Sequence, residues 1–419
     1  MAEGDQYVRA SFRAALADRE FRALWAADLL SIVGDQFARV ALSLLVYDRT
    51  GSALFTGLAF AATYLPTMVG GLTLGWLADR FDRRGVLITV DLVRAAMAAL
   101  MAVPGSPVGA VIAPVVVISL LHPVFRGAQL ATLRAVLTDP ALFKMGSSLR
   151  TVTLQAGQVL GFAAGGSVVG LTSPSVALLI DAATFVASSA LLLSLRRRPV
   201  DGGGARRSPL NGITIVLGDR RLRALIGVQA LVGCYVASEA VAAPYAKAIG
   251  GGAGATGLLL AAPAVGAVVG AYAAGWLRDR DSAALGPLVF VTGLPLLVCL
   301  ALPGLWVSLL LFALTGVALT ATVVISTNLA TLHAEERVRG HVMSAFNAVL
   351  MTTQGLGAAA GGWLASTRLG PAAAISVLAA AGMACAAAVG ISWRRAERSG
   401  SSLLPVHGDS SPEDDRRTP

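Results

Sequence analysis

Long runs without Asp, Glu, Lys or Arg dominate the chain: Thr50 to Ala78, Ala95 to Phe125, Thr151 to Ile180, Ala248 to Leu277, Ser282 to Ala334, Val342 to Thr367 and Leu369 to Trp393. A helix needs about 20 such residues to cross the hydrocarbon of a bilayer, so some of these runs hold one crossing and some hold two. Turn signals divide them at Pro104, Gly105 and Pro107, at Thr172 to Pro174, and at Pro303 and Gly304. Alternation of period two is absent, and a lipid-facing backbone must satisfy its own hydrogen bonds, so the crossings are helices. The pattern predicts twelve spans, approximately 22–47, 53–78, 85–103, 108–133, 143–171, 175–195, 223–247, 254–277, 284–302, 305–332, 342–367 and 370–393. The first is too long and polar for a cleavable signal peptide.

Composition agrees with a membrane protein. Among 419 residues 55% are apolar and 14% charged, too little charge to cover a water-soluble surface. With the N-terminus inside, cytoplasmic ends and loops carry 26 Lys and Arg against three, Arg49, Lys247 and Arg368, on the other side. That bias places both termini in the cytoplasm. It also reads the net charge of +9 as a topology signal and a lipid-headgroup contact, which argues against nucleic-acid binding. Cys234, Cys299 and Cys385 lie inside spans without paired spacing, so neither disulfides nor a metal cluster is expected. The preference for Arg over Lys, 31 to 2, with abundant Ala, suggests a GC-rich bacterial genome.

The chain repeats itself. DREFRAL (Asp18 to Leu24) precedes the first span and DRRLRAL (Asp219 to Leu225) the seventh, while GWLADR (Gly75 to Arg80) ends the second and GWLRDR (Gly275 to Arg280) the eighth. Six spans per unit is an even number, so the halves are parallel repeats able to rock around a midplane site. The expected organisation is a cytoplasmic segment 1–21, a six-helix bundle 22–195, a Gly, Pro and Arg-rich linker 196–222, a second bundle 223–394 and a disordered tail 395–419.

These features resemble the major facilitator superfamily over essentially the whole chain. The most specific element is GWLADRFDRR (Gly75 to Arg84), which resembles the signature between helices 2 and 3. Flanking stretches resemble the drug and siderophore exporter branch that includes macrolide-efflux and enterobactin-exporter proteins: GDQFARVALSLLVYDRTGSALFTGL (Gly34 to Leu58), DLVRA (Asp91 to Ala95), DAATF (Asp181 to Phe185) and RGHVMSAF (Arg339 to Phe346). The resemblance implies an all-α membrane fold of two pseudo-symmetric six-helix bundles. It further implies that Asp79 faces the N-terminal end of helix 11 near Gly340 and His341, a position favourable to a carboxylate. Asp79 would latch the cytoplasmic side, with Gly75 allowing close helix approach and Arg80, Arg83, Arg84 and Asp91 adding ion pairs. Simple obedience to the positive-inside rule also explains these arginines.

In helix 5, Gly157, Gly161, Gly165 and Gly166 fall close to one face, as do Gly357, Gly361 and Gly362 in helix 11. The helix 5 run resembles an antiporter motif, with Phe162 in place of its Pro. Charges at mid-bilayer are costly and so are paired, cavity-facing or both. Asp35 and Arg39 on helix 1, Arg126 on helix 4 and Glu239 on helix 7 are the candidates for substrate and proton handling, since the resemblance implies a cavity lined by helices 1, 4, 7 and 10. A desolvated Asp35 or Glu239 is suited to load a proton on one side and release it on the other. Arg126 and Gln129 partly match an RxxQG motif of drug antiporters, with Leu130 in place of its Gly. The structural alternative is an Asp35–Arg39 ion pair with a solvated Glu239. Asp91 and Arg94, three residues apart, fit a structural pair. Asp181 and Arg150 fit either a structural or a gating role, His122 a packing role, and Tyr64, Tyr235 and Tyr245 are possible ligand contacts.

The expected function is proton-coupled efflux of a hydrophobic or amphiphilic small molecule by alternating access. Siderophore or nutrient movement is the alternative within the fold, and a non-transporting receptor or scaffold the alternative outside it. The expected location is a bacterial inner membrane, as a monomer needing no cofactor. No GxxxxGK[ST] phosphate loop or HExxH is present, which argues against an ATP-driven pump or a metalloenzyme.

Overall fold

A computed structural model describes residues 12–198, 209–276 and 281–400, with Asp79 and the stretches 209–213, 281–284 and 390–400 described by backbone only. Twelve long helices carry the fold: α1 (Arg19–Thr50), α2 (Ala53–Thr73), α3 (Arg83–Met101), α4 (Val108–Val136), α5 (Pro140–Leu171), α6 (Pro174–Leu192), α7 (Arg220–Ala240), α8 (Ala253–Trp276), α9 (Asp281–Val298), α10 (Leu305–His333), α11 (Arg339–Ala365) and α12 (Gly370–Gly400). Among the described residues nine are long and apolar enough to cross a membrane. The other three are α3, α9 and α11. Arg83, Arg84, Asp91 and Arg94 interrupt the apolar character of α3, and Gly, Thr, Asn and Gln dilute that of α11.

The repeated sequence landmarks have a structural cause. Asp18 caps α1 by accepting from the Phe21 backbone N–H at 2.8 Å, and Asp219 caps α7 by accepting from Arg221 and Leu222 at 2.7 and 3.1 Å. Both carboxylates satisfy backbone donors that a helix start leaves open. The packing repeats as well. Within the first six helices α1 packs on α5 and α6, α2 on α4, and α3 on α4 and α6; the same pairs recur with six added, α7 on α11 and α12, α8 on α10, and α9 on α10 and α12. Even the contacts between halves obey the rule, since α2 packs on α11 and α8 on α5. The molecule is therefore two pseudo-symmetric six-helix bundles.

Several boundaries differ from the sequence expectation. Helix 7 is not continuous to 247: it stops at Ala240, and a short helix Ala242–Ala248 follows. Pro244 has no N–H to give the Ala240 carbonyl, which places the break there. Helix 2 ends at Thr73 and resumes as the single turn Leu77–Arg80, with Gly75 between. α12 continues past Arg394 to Gly400. In the linker a helix, Pro209–Gly218, packs on α11 and α7. Linker residues 199–208, tail residues 401–419, N-terminal residues 1–11 and Leu277 to Arg280 of the second landmark lie outside the described residues.

The two bundles touch at the arginine-poor end through residues without side chains. A Cβ on Gly57 of α2 would stand 2.5 Å from the Ala358 carbonyl oxygen and 2.7 Å from Gly362 Cα of α11. On the pseudo-equivalent contact a Cβ on Gly166 of α5 would stand 2.8 Å from Gly257 Cα of α8. Nearer mid-membrane Thr352 donates to Met68 Sδ at 2.8 Å. At the arginine-rich end no such approach occurs at Gly75, where a Cβ would meet only the carbonyl group of Gly71 on its own helix. Thus the close helix approach expected at Gly75 is found at Gly57.

Backbone-on-backbone packing tolerates no added volume. Gly57→Leu should separate the bundles at the arginine-poor end. A cysteine placed at Ala358, which is fully buried, should be inert to a membrane-impermeant maleimide in a chain otherwise lacking cysteine, and reactive once Gly57 is Leu.

Candidate functional site

The charged residues of the first six helices converge on a cavity of about 220 Å³. Asp28, Asp35 and Arg39 project into it from one stripe of α1, where spacings of seven and four residues bring side chains to the same face. Arg94 enters from α3, His122 and Arg126 from α4, and Asp181 from α6. Met351 of α11 is the one lining residue from the second half. For this cavity the expected contribution of helices 7 and 10 is thereby corrected. α10 carries no Asp, Glu, Lys or Arg to hold a polar space open, and Glu239 of α7 stands behind Tyr64.

Two ion pairs hold half of the charge within the first six spans. Arg150 of α5 donates from Nε to Asp28 Oδ2 at 2.8 Å and also donates to Gln129 of α4. Asp91 and Arg94 form the expected pair at 3.9 Å, with 0% and 1% of their side chains exposed. Ser188 of α6 donates to Asp91 at 2.6 Å, and Arg94 Nη2 donates to His122 Nδ1 at 3.1 Å. The Arg94 guanidinium lies 4.8 Å from the Phe125 ring centre and 5.5 Å from that of Phe185, a cation–π sandwich that replaces part of its lost hydration. His122 therefore does more than fill space: its accepting Nδ1 fixes the proton of the neutral ring on Nε2.

Asp35, Arg39 and Arg126 are in no ion pair among the described residues. The expected Asp35–Arg39 pair does not form. Arg39 instead lies 5.7 Å from the centre of the Tyr64 ring, and the Tyr64 hydroxyl lies between Arg39 and Glu239. Glu239, two residues before the break at Val241, is the one charged side chain of α7 beyond its first turn, and it acts electrostatically on Arg39 of α1 and Tyr64 of α2.

The glycine stripe of α5 packs on α1. Added Cβ atoms at Gly157, Gly161 and Gly165 would meet Ile32, Gln36 and Phe37 at 2.8, 2.7 and 3.2 Å, while Gly166 crosses to α8. At the arginine-rich end Arg83 donates to the Ala131 carbonyl at 3.4 Å, Arg84 to that of Leu193 at 2.6 Å, and Arg80 lies over Trp76. None of the three pairs with Asp91, which is enclosed between Arg94 and Ser188. The side chain of Asp79 lies outside the described residues. Asp28 and its bond to Arg150 were not singled out by sequence reasoning, although the seven-residue spacing from Asp28 to Asp35 marks a polar stripe. Tyr235 and Tyr245 bond to the Val289 carbonyl and the Ser308 hydroxyl, both inside the second half.

This architecture, two parallel six-helix bundles around a polar cavity, is that of a multi-pass membrane transporter. The family model of the Major Facilitator Superfamily matches residues 24–280 and 225–411, and the chain belongs to that superfamily. The two matches start 201 residues apart, the separation of the capping aspartates. Over 84 residues the chain is 30% identical to macrolide efflux protein A of Streptococcus pyogenes, a stretch that spans 20% of this chain and 21% of that protein. A bacterial homologue of the human lysosomal transporter Spinster, in an inward-facing and occupied conformation, superposes with a TM-score of 0.74 at 14% identity, covering 92% of this chain and 97% of that one. The nucleoside transporter NupG gives 0.74 at 12% identity, covering 90% and 99%. A bacterial homologue of the iron transporter ferroportin, in an inward-facing state, gives 0.68 at 16%, covering 90% and 98%.

Breaking a buried ion pair strands the remaining charge, at a cost of about 3–5 kcal/mol. Arg150→Ala should therefore lower the melting temperature in detergent markedly. Adding Asp28→Asn to Arg150→Ala should restore part of the loss, since no uncompensated carboxylate remains.

Proposed function

We propose that the protein is a proton-coupled exporter of hydrophobic or amphiphilic small molecules, working by alternating access in a bacterial cytoplasmic membrane. The arginine-rich end is cytoplasmic, with both termini inside. Bundles 22–195 and 223–394 rock against each other. The observation that carries this reading is the cavity itself. Asp35, Arg39 and Arg126, none of them in an ion pair among the described residues, line it together with apolar Ile32, Leu42, Val115, Ile118 and Met351. A lining that mixes charged and apolar side chains suits an amphiphile, and an unpaired carboxyl inside the membrane suits proton exchange. The sequence match to a macrolide efflux protein favours antibiotics of that class among the substrates.

When the inner side closes, Asp79 meets the N-terminal turn of α11, where the backbone N–H groups of Arg339, His341 and Val342 are bonded to Glu335 and Val338 and the helix end still favours a carboxylate. Gly75 admits the approach, and Arg80, Arg83 and Arg84 hold the turn to its own bundle. Glu239, linked through Tyr64 to Arg39, transmits the charge state of the first half to the break in α7. A single chain supplies both bundles, so a monomer suffices.

The test is transport. In a macrolide-sensitive host the chain should raise tolerance to macrolides within a panel of antibiotics. Inverted vesicles should accumulate the same compounds only under a proton gradient. Asp35→Asn, Arg126→Ala and Glu239→Gln should each lower the flux about tenfold or more, equivalent to 1.4 kcal/mol or more of lost transition-state stabilisation. Full flux in all three variants removes this site, and flux untouched by a protonophore removes proton coupling.

A further inference from the structure

Asp181 is the carboxyl that the scheme above leaves unused. It is 1% exposed, yet it lines the same cavity as Asp35. Its Oδ1 has no hydrogen-bond partner, and the neighbouring Thr184 hydroxyl donates to the Asp181 backbone carbonyl instead of the carboxyl. α6 reaches α1 at Gly34, where an added Cβ would come within 2.5 Å of Asp181 Oδ1. The absence of a side chain at Gly34 thus brings Asp181 against α1 one residue away from Asp35.

The cations nearby are engaged elsewhere. Arg150 is held by Asp28 and Gln129. Arg94 is held by Asp91 and His122 between two phenyl rings, and His122 offers Arg94 only an accepting nitrogen. Arg39 is stacked on Tyr64. Arg126, across the cavity, interacts with Asp28 and Asp35. Asp35 is the foremost charge acting on Asp181, with Arg94 and Asp91 behind it. Two carboxyls in one water-poor site, with no cation in contact with the inner one, cannot both be ionised.

We propose that Asp35 and Asp181 form one titrating unit that carries a single proton between them, and that this unit is the proton store of the transporter. Asp35 at the cavity wall takes the proton from hydronium, leaving water. Asp181 behind it takes the proton over when the O–H bond of Asp35 breaks; this hand-over leaves the loaded pair at −1, and only loading and unloading move it between −2 and −1. Unloading requires a positive charge to reach the pair; Arg39 and Arg126 are the cavity guanidiniums in no ion pair among the described residues, and of the two Arg39 is stacked on Tyr64. Asp181 is in this sense a coupling residue set on a helix that the sequence did not connect with proton handling. The transport role rests on the exporter reading above, whereas the sharing of one proton does not.

The experiment needs no transported substrate. Dicyclohexylcarbodiimide modifies protonated carboxyls in apolar surroundings, and peptide mass mapping shows which residue it has reached. Purified wild-type protein in detergent at neutral pH should be modified at Asp35, while Asp28, held by Arg150, should not be. Asp181→Asn should reduce modification of Asp35 about tenfold or more, because a pair coupled by more than about one pH unit loses that coupling. Gly34→Ala, which pushes Asp181 off α1, should do the same without removing a carboxyl. Unchanged elution and continued protection of Asp28 show that each variant is folded. An unmodified Asp35 in the wild type, or equal modification of Asp35 in wild type and both variants, overturns the pair. Loss of the exporter reading would appear separately, as wild-type vesicles without proton-driven macrolide flux, and would leave the labelling result standing.

Discussion

An ionised side chain inside a membrane protein must find either a counter-charge or water, and the first six helices are arranged around that requirement. Arg94 is enclosed between Asp91, His122 and two phenyl rings; Arg150 reaches from α5 to Asp28 on α1 and Gln129 on α4. These contacts tie α1, α3, α4, α5 and α6 together by polar bonds that have no solvent competitor. They use half of the charge within these spans. What remains, Asp35, Arg39, Arg126 and Asp181, lines the cavity.

Between the halves a different constraint applies. The bundles touch where Gly57 meets Gly362 and Gly166 meets Gly257, contacts made of backbone and van der Waals packing without a buried ion pair. Association of helices in lipid depends on such close packing, since no hydrophobic gain accompanies it. Contacts of this kind can part and re-form with little desolvation cost, which suits two bundles that rock. The charged network inside the first half and the glycine contacts between halves are therefore complementary: one holds a bundle rigid, the other lets it move.

Much of the architecture was legible in the sequence because it is periodic or compositional. The long uncharged runs gave the helices, and the capping aspartates Asp18 and Asp219 gave the duplication. Partner choice was less legible. Asp28 and Arg150 stand 122 residues apart, and only the crossing of α1 by α5, set by the glycines at 157, 161 and 165, brings them together. The adjacency of Asp35 and Arg39 suggested a pair, but side chains four apart on a helix also have neighbouring helices to choose from, and Arg39 faces Tyr64. The break in α7 was written in Pro244, although a proline within an apolar run does not by itself distinguish a bend from an interruption. Gly75 and Gly57 look alike as text; which of them is in contact depends on conformation.

The two halves share a plan but not a chemistry: beyond the caps and connecting segments, the second half places Glu239 as its charged residue within a span, whereas the first places eight. A duplicated gene of this kind has let its two halves diverge in charge. Ancestry of new substrate preferences would then run through α7 to α12, where replacements among neutral side chains reshape a wall without disturbing the ionic machinery, while α1 to α6 would stay under constraint from charge balance. Chimeras joining the first half of this protein to second halves of its relatives would inherit energy conversion from one parent and selectivity from the other.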